Sequence, residues 1–124
     1  MGKIFKEEIQ LPEFERDLRQ LTKKFRTLPG DLDTFITFSL NLFHKLNQRQ
    51  DGIEHIAGLG IEHPQIYKAT KFACKALKGR GAKSGIRVIY AYYPNLDKIE
   101  FVEMYFKADQ ENEDRARIMK LYKK

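Results

Sequence analysis

Apolar residues recur at the spacing of a helix along the first half of the chain and at the spacing of a strand along the second. From Pro12 onward, Phe14, Leu18, Leu21 and Phe25 follow one another at intervals of four, three and four, which places them on one helical face. Proline suits a first turn, and acids early (Glu13, Glu15, Asp17) with cations late (Lys23, Lys24, Arg26) complement the helix dipole. The helix is expected to stop before Pro29-Gly30. Asp31 is then placed to cap a second helix carrying Leu32, Phe35, Ile36, Leu42, Phe43 and Leu46 at the same period. So short a connection sets the two helices antiparallel. Upstream, residues Lys3 to Ile9 alternate Ile4, Phe5 and Ile9 with charges, the pattern of an edge strand blunted by Lys6, Glu7 and Glu8.

Asn47 to Pro64 is polar, holds Gly52, Gly58 and Gly60, and reads as a loop. Beyond Ile66 the period falls to two. Strands are predicted at Tyr67–Cys74, Ile86–Tyr93 and Lys98–Phe106, with a glycine-rich basic loop at Leu77–Ser84 and a turn at Pro94-Asn95. Asp109 is expected to cap a closing helix with Glu111, Glu113 and Asp114 in its first turn and Lys120, Lys123 and Lys124 at its end. The result is one α+β domain of 124 residues, a small antiparallel meander packed on two helices. Both long helices precede the meander, so one sheet face is expected to hold the core and the other to be wet. Alternation puts Ile86, Val88, Tyr90 and Tyr92 on one side and Gly85, Arg87 and Ile89 on the other. In the last strand Val102, Met104 and Phe106 share a side, opposite Glu103, Tyr105 and Lys107. Arg87, Tyr105 and Lys107 are thereby predicted to converge on one face.

Charge sharpens this picture. The 33-residue stretch from His63 to Asn95 holds Lys68, Lys71, Lys75, Lys78, Arg80, Lys83 and Arg87 and no acid. Setting those seven aside leaves 16 cations against 17 acids, so the net charge of +6 is local. A cationic segment interleaved with tyrosines has the composition of a polyanion-binding face, and nucleic acid is the expected partner. Lys75, Lys78, Arg80 and Lys83 are candidate RNA-backbone contacts, and Tyr93, at a strand end, is a candidate base-stacking ring. Tyr67, Tyr90 and Tyr92 read as core.

Several chemistries are disfavoured. The basic strands hold no carboxylate cluster for divalent cations. His44, His55 and His63 lie outside the basic segment and read as surface or packing residues, and lone Cys74 gives neither a disulfide nor a metal pair. No metal and no cofactor are therefore expected. The N-terminal segment has acids where a secretory signal needs an apolar run, and no window has the length of a membrane span, so a cytoplasmic location is expected. What remains is metal-free chemistry on RNA, in which the ribose 2′-hydroxyl attacks the adjacent phosphorus. It needs a proton acceptor, cations for the phosphoryl oxygens, and a proton donor for the leaving 5′-oxygen.

Three blocks carry a resemblance: Ile66-Tyr67-Lys68-Ala69-Thr70-Lys71-Phe72-Ala73, Lys78-Gly79-Arg80-Gly81-Ala82-Lys83-Ser84-Gly85-Ile86-Arg87-Val88-Ile89-Tyr90, and Glu103-Met104-Tyr105-Phe106-Lys107-Ala108-Asp109-Gln110-Glu111-Asn112. With the opening Leu11-Pro12-Glu13-Phe14-Glu15-Arg16-Asp17-Leu18, the chain resembles the RelE/ParE family of type II toxin–antitoxin toxins, most closely its RelE and HigB side. The resemblance implies the order β-α-α-β-β-β with a C-terminal helix. It also implies a metal-independent endoribonuclease that cleaves mRNA on the ribosome, and a small, acidic, DNA-binding antitoxin as partner in a hetero-oligomer. Lys68 and Arg87 match a family cation and the arginine that contacts the scissile phosphate. Lys107 matches a further basic position, and Tyr105 or Tyr122 the family's functional tyrosine. Thr70 stands where a second cation belongs. Lys71, one residue on, falls on the opposite face of a regular strand. The candidate catalytic set is therefore Lys68, Lys71, Arg87, Tyr105 and Lys107. A RelE-fold protein that binds RNA without cleaving it, and a ParE-like inhibitor of gyrase, are the alternatives.

Overall fold

The computed structural model describes residues 3–123. Five strands, β1 (Glu7–Gln10), β2 (Ile53–His55), β3 (Gln65–Ala69), β4 (Ile86–Tyr93) and β5 (Lys98–Phe106), form one sheet in the order β1-β5-β4-β3-β2. β3, β4 and β5 are the expected antiparallel meander, and β1 adds to β5 in parallel as an edge. The helices are α1 (Pro12–Lys24), α2 (Leu28–Phe35) and α3 (Arg115–Tyr122). Among the described residues no helix is long and apolar enough to cross a membrane.

α1 forms as its spacing predicts. Pro12 opens it, and Phe14, fully buried, packs on Phe101 with ring centroids 5.3 Å apart. The second helix departs from expectation at its start. Pro29 and Gly30 lie inside the first turn of α2, where a missing backbone N–H costs nothing. Asp31 is therefore not the cap; its buried carboxylate accepts from the Thr27 hydroxyl at 2.7 Å and the Lys75 N–H at 3.2 Å. From Ile36 to Lys45 the chain winds as a π-helix. The wider turn rotates the apolar stripe, so Leu40 is buried while Leu46, expected in the core, is 55% exposed.

The loop expected over residues 47–64 contains β2, which lengthens the sheet beyond β3. β3 ends at Ala69 rather than Cys74; Phe72 makes only an isolated bridge to Lys83. The closing helix is capped by Asp114, which accepts from the Arg117 N–H at 3.0 Å, and not by Asp109. Glu111, Glu113 and Asp114 precede it instead of filling its first turn.

The expectation of a wet sheet face is overturned. One face carries a core of Phe5, Phe14, Leu28, Leu40, Val88, Tyr90 and Phe101, among others, under the first two helices. The other buries Leu59, Ile66, Ile89, Ala91, Val102, Tyr105 and Ile118 under α3 and the segment that holds Leu59. Removing Ile89 and Ile118 from water stabilises this second layer by roughly 1.5–3 kcal/mol each. A β-bulge between Ile89 and Tyr90 in the β4–β5 register sends Val102 to this second face, parting it from Met104.

Candidate nucleic-acid interface

β4 enters the sheet at Ile86, and its second residue, Arg87, points to the α3 side directly opposite Tyr105. The guanidinium Nη1 donates to the Thr70 carbonyl at 2.7 Å, which holds the planar group across the end of β3. Lys107 follows β5 and donates its backbone N–H to the Gly85 carbonyl at 2.8 Å. Lys83 closes the basic loop just before Ser84, whose buried hydroxyl donates to the Phe72 carbonyl and accepts from the Ile86 N–H. Thr70, Lys71, Ala82, Lys83, Gly85, Arg87 and Lys107 thus line an open cleft of about 370 Å³.

No carboxylate among the described residues lines this cleft. Among the described residues Lys83, Arg87 and Lys107 make no ion pair, while Lys71 pairs with Asp51, itself 82% exposed. The Lys71 hydrogen bond, then its charge, hold the Asp51 carboxyl below its ordinary range. The expected misplacement of Lys71 does not occur: the chain leaves the strand after Ala69, alternation ends there, and Lys71 turns into the cleft. Three cations with unused donors around an acid-free hollow form a site for a dianion or a polyanion.

Lys68 and Tyr105, the remaining candidate catalytic residues, share this sheet face but are closed off. Lys68 pairs with Ile89, so it is diagonal to Arg87 at roughly 7–8 Å between backbones. Its ammonium is bound to Glu113 at 2.9 Å, and the Glu113 side chain is 8% exposed. Burial works against the Lys68 charge, yet Glu113 and Tyr105 outweigh it and raise the pKa. Burial likewise works against the Glu113 carboxylate, and Lys68 outweighs it, so that pKa falls. The Tyr105 hydroxyl is buried without a hydrogen-bond partner in good geometry. Burial raises its pKa although the nearby Lys68 ammonium opposes the shift. In this state Lys68 is a neutralised cation and Tyr105 a phenol; neither is a free base.

The other RNA-contact candidates lie apart from the cleft. Lys75 borders a shallow hollow with Arg26, Thr27 and Gly30. Lys78 and Arg80 are exposed on the loop and make no ion pair among the described residues. Tyr93 is removed from the site altogether: six residues along β4 from Arg87, roughly 20 Å, its hydroxyl donates to Glu100 at 2.8 Å and Lys98 lies 4.8 Å from its ring centroid. It stands at the far sheet end, so a stacking role for Tyr93 would lie apart from this cleft.

Sequence reasoning missed Glu113, Glu103 and Asp51. Glu103, 2% exposed, accepts from the Asp114 N–H and the Gln110 side chain, both at 2.8 Å, and so anchors the segment that carries Glu113. Nothing in the periodicity pairs Lys68 with a residue 45 positions away. His44 is a packing histidine as expected: its ring lies 4.0 Å from Tyr92 and its Nε2 2.8 Å from the Tyr90 hydroxyl. Burial pulls its pKa down to about 4.

No protein-family model matches the chain, and no curated protein or solved structure gives a significant match. The fold and site define an α+β protein with a five-stranded mixed sheet and an open, acid-free cationic cleft at one end of it.

Proposed function

We propose that the protein is the toxin of a type II toxin–antitoxin pair, a metal-independent endoribonuclease of RelE type that acts on mRNA held by the ribosome. The observation that supports this reading is the convergence of Arg87, Lys83, Lys107 and Lys71 on a cleft without a carboxylate. Such a lining offers no ligands to a divalent cation but matches a phosphodiester. In the proposed reaction the ribose 2′-hydroxyl attacks the adjacent phosphorus, forms a 2′,3′-cyclic phosphate and expels the 5′-oxygen. Arg87, oriented by the Thr70 carbonyl, holds the phosphoryl oxygens as charge builds; Lys83 and Lys107 add positive charge, and the exposed Lys107 ammonium protonates the leaving oxygen. Among the described residues the cleft lining holds no carboxylate or histidine to accept the 2′-hydroxyl proton, which leaves to water or to a group of the ribosome. A site without its own base depends on a substrate that is already positioned, which accords with ribosome dependence. An acidic antitoxin, with cytoplasmic residence, completes the proposal.

Purified protein added to ribosomes programmed with a defined mRNA tests this. Cleaved mRNA with 2′,3′-cyclic phosphate ends is the expected result. Intact mRNA alongside RNA binding would leave a non-catalytic RNA-binding protein, and loss of gyrase activity with intact mRNA would assign the protein to the gyrase-directed side.

A further inference from the structure

Half of the cationic face is open and half is shut, and a single acidic side chain divides them. Arg87, Lys83 and Lys107 face the open cleft, whereas Lys68, diagonal to Arg87 on the same sheet face, carries Glu113. Glu113 sits in residues 108–114, between Lys107 and α3, a segment with no regular structure. That segment is tied down by polar contacts: Gln110 and the Asp114 N–H to buried Glu103, and Glu113 to Lys68. Beneath it lies the buried Tyr105 hydroxyl, beside the Lys68 ammonium; its own proton has no acceptor among the described residues, a donor left unused while the segment is closed. A carboxylate on a lysine occupies the place that a phosphate oxygen would take, since both are anionic acceptors of ammonium hydrogen bonds. The backbone separation of Lys68 and Arg87, roughly 7–8 Å, suits neighbouring phosphates of an extended single strand.

We propose that Glu113 is an internal stand-in for a phosphate, and that Lys68 with the Tyr105 hydroxyl forms a second phosphate subsite, uncovered when single-stranded RNA displaces the 108–114 segment while Lys107 stays on Gly85. The proposal rests on the RNA-directed reading of the cleft and adds to it a closed state of that site. The unused Tyr105 donor supports it, because a subsite built for an anion leaves a donor unpaired when a smaller carboxylate reaches only the lysine. Exchange of one anion for another at Lys68 keeps its charge paired throughout, so opening leaves no buried cation bare.

A short, fluorescently labelled single-stranded oligoribonucleotide, titrated by anisotropy at fixed salt, tests the subsite without requiring cleavage. Glu113→Gln keeps the size of the side chain and removes its charge, and should tighten binding about tenfold, the effect of freeing one charge-assisted contact. Lys68→Ala should cancel that gain in the Glu113→Gln background while weakening the unaltered protein much less. In the unaltered protein, a glutamate-specific protease should cut after Glu113 faster when RNA is saturating, a readout that needs no variant to fold. Unchanged or weaker binding by folded Glu113→Gln, a gain that survives Lys68→Ala, or RNA that protects Glu113 from the protease would each overturn the proposal and leave the open cleft as the RNA site. Absence of RNA binding by every form would overturn the RNA reading itself.

Discussion

Replacement of Arg117 by alanine would remove a polar clamp between α3 and the rest of the molecule. The Arg117 guanidinium donates from Nη1 to Asp17 of α1 at 2.7 Å and to the Val102 carbonyl at 2.9 Å, and the same Asp17 oxygen accepts the Met104 N–H at 3.2 Å. One side chain thus joins α3, α1 and the free edge of β5 beyond the reach of β1. The two side chains are 17% and 20% exposed, so water replaces only part of what is lost. Charge-assisted hydrogen bonds in such places contribute roughly 1.5–3 kcal/mol, and leaving Asp17 short of its partner adds to the loss, so Arg117→Ala should cost about 2–3 kcal/mol. For a chain of this size that lowers the thermal midpoint by roughly 6–12 °C. Thermal unfolding followed by circular dichroism measures the single variants, and the double variant with Asp17→Ala completes a cycle in which a coupling of about 1.5 kcal/mol is expected. A loss under about 0.5 kcal/mol, typical of a surface site, or strict additivity with Asp17→Ala, would refute the reasoning.

Two further outcomes follow from single positions. Folding favours the neutral His44 imidazole, whose pKa falls from 6.5 to about 4, so the unfolded chain takes up a proton first as pH drops. The stability from burying neutral His44 is complete above pH 6.5 and is lost as pH falls toward 4, on the order of 2 kcal/mol; His44→Gln, which still offers a partner to the Tyr90 hydroxyl, should remove that part of the slope in denaturant titrations at stepped pH. Gly85 has φ +87°, and a Cβ there would meet Phe106 at 3.1 Å, so Gly85→Ala should cost about 1–2 kcal/mol and shift the wall of the cleft. Equal midpoints of Gly85→Ala and the unaltered protein in urea would count against that strain.

Much of this arrangement was legible in the chain, for reasons that stop at identifiable residues. The four-three-four spacing of α1 and the alternation of β4 are local consequences of helix and strand geometry, so Phe14 and Val88 lie in the core and Arg87 on the other face, as expected. Convergence of Arg87 with Lys107 follows from the same alternation carried across a hairpin. The second core escaped notice, although Ile89 was apolar on the face assigned to water, and that apolarity was the available signal. Val102 itself was placed wrongly because a bulge breaks the period of two, and Leu46 because π-helical winding breaks the period of 3.6. The closure of Lys68 by Glu113 depends on how a structureless segment folds back over the sheet, which no local pattern encodes.

The proposed role of Arg87 is to stabilise charge on a phosphate without contributing to the fold. The direct measurement compares the unaltered protein, Arg87→Ala and Arg87→Lys for rate of mRNA cleavage on programmed ribosomes, with thermal midpoints taken on the same preparations. Loss of a charge-stabilising donor removes roughly 3 kcal/mol from the transition state, about a hundredfold in rate, and lysine lacks the planar fork that grips two oxygens. Both variants should therefore cleave about a hundredfold more slowly or worse, with midpoints near that of the unaltered protein, since among the described residues Arg87 makes no ion pair and gives a single hydrogen bond, to Thr70. Cleavage by Arg87→Ala at the unaltered rate, or a loss of activity that tracks unfolding, would contradict the account.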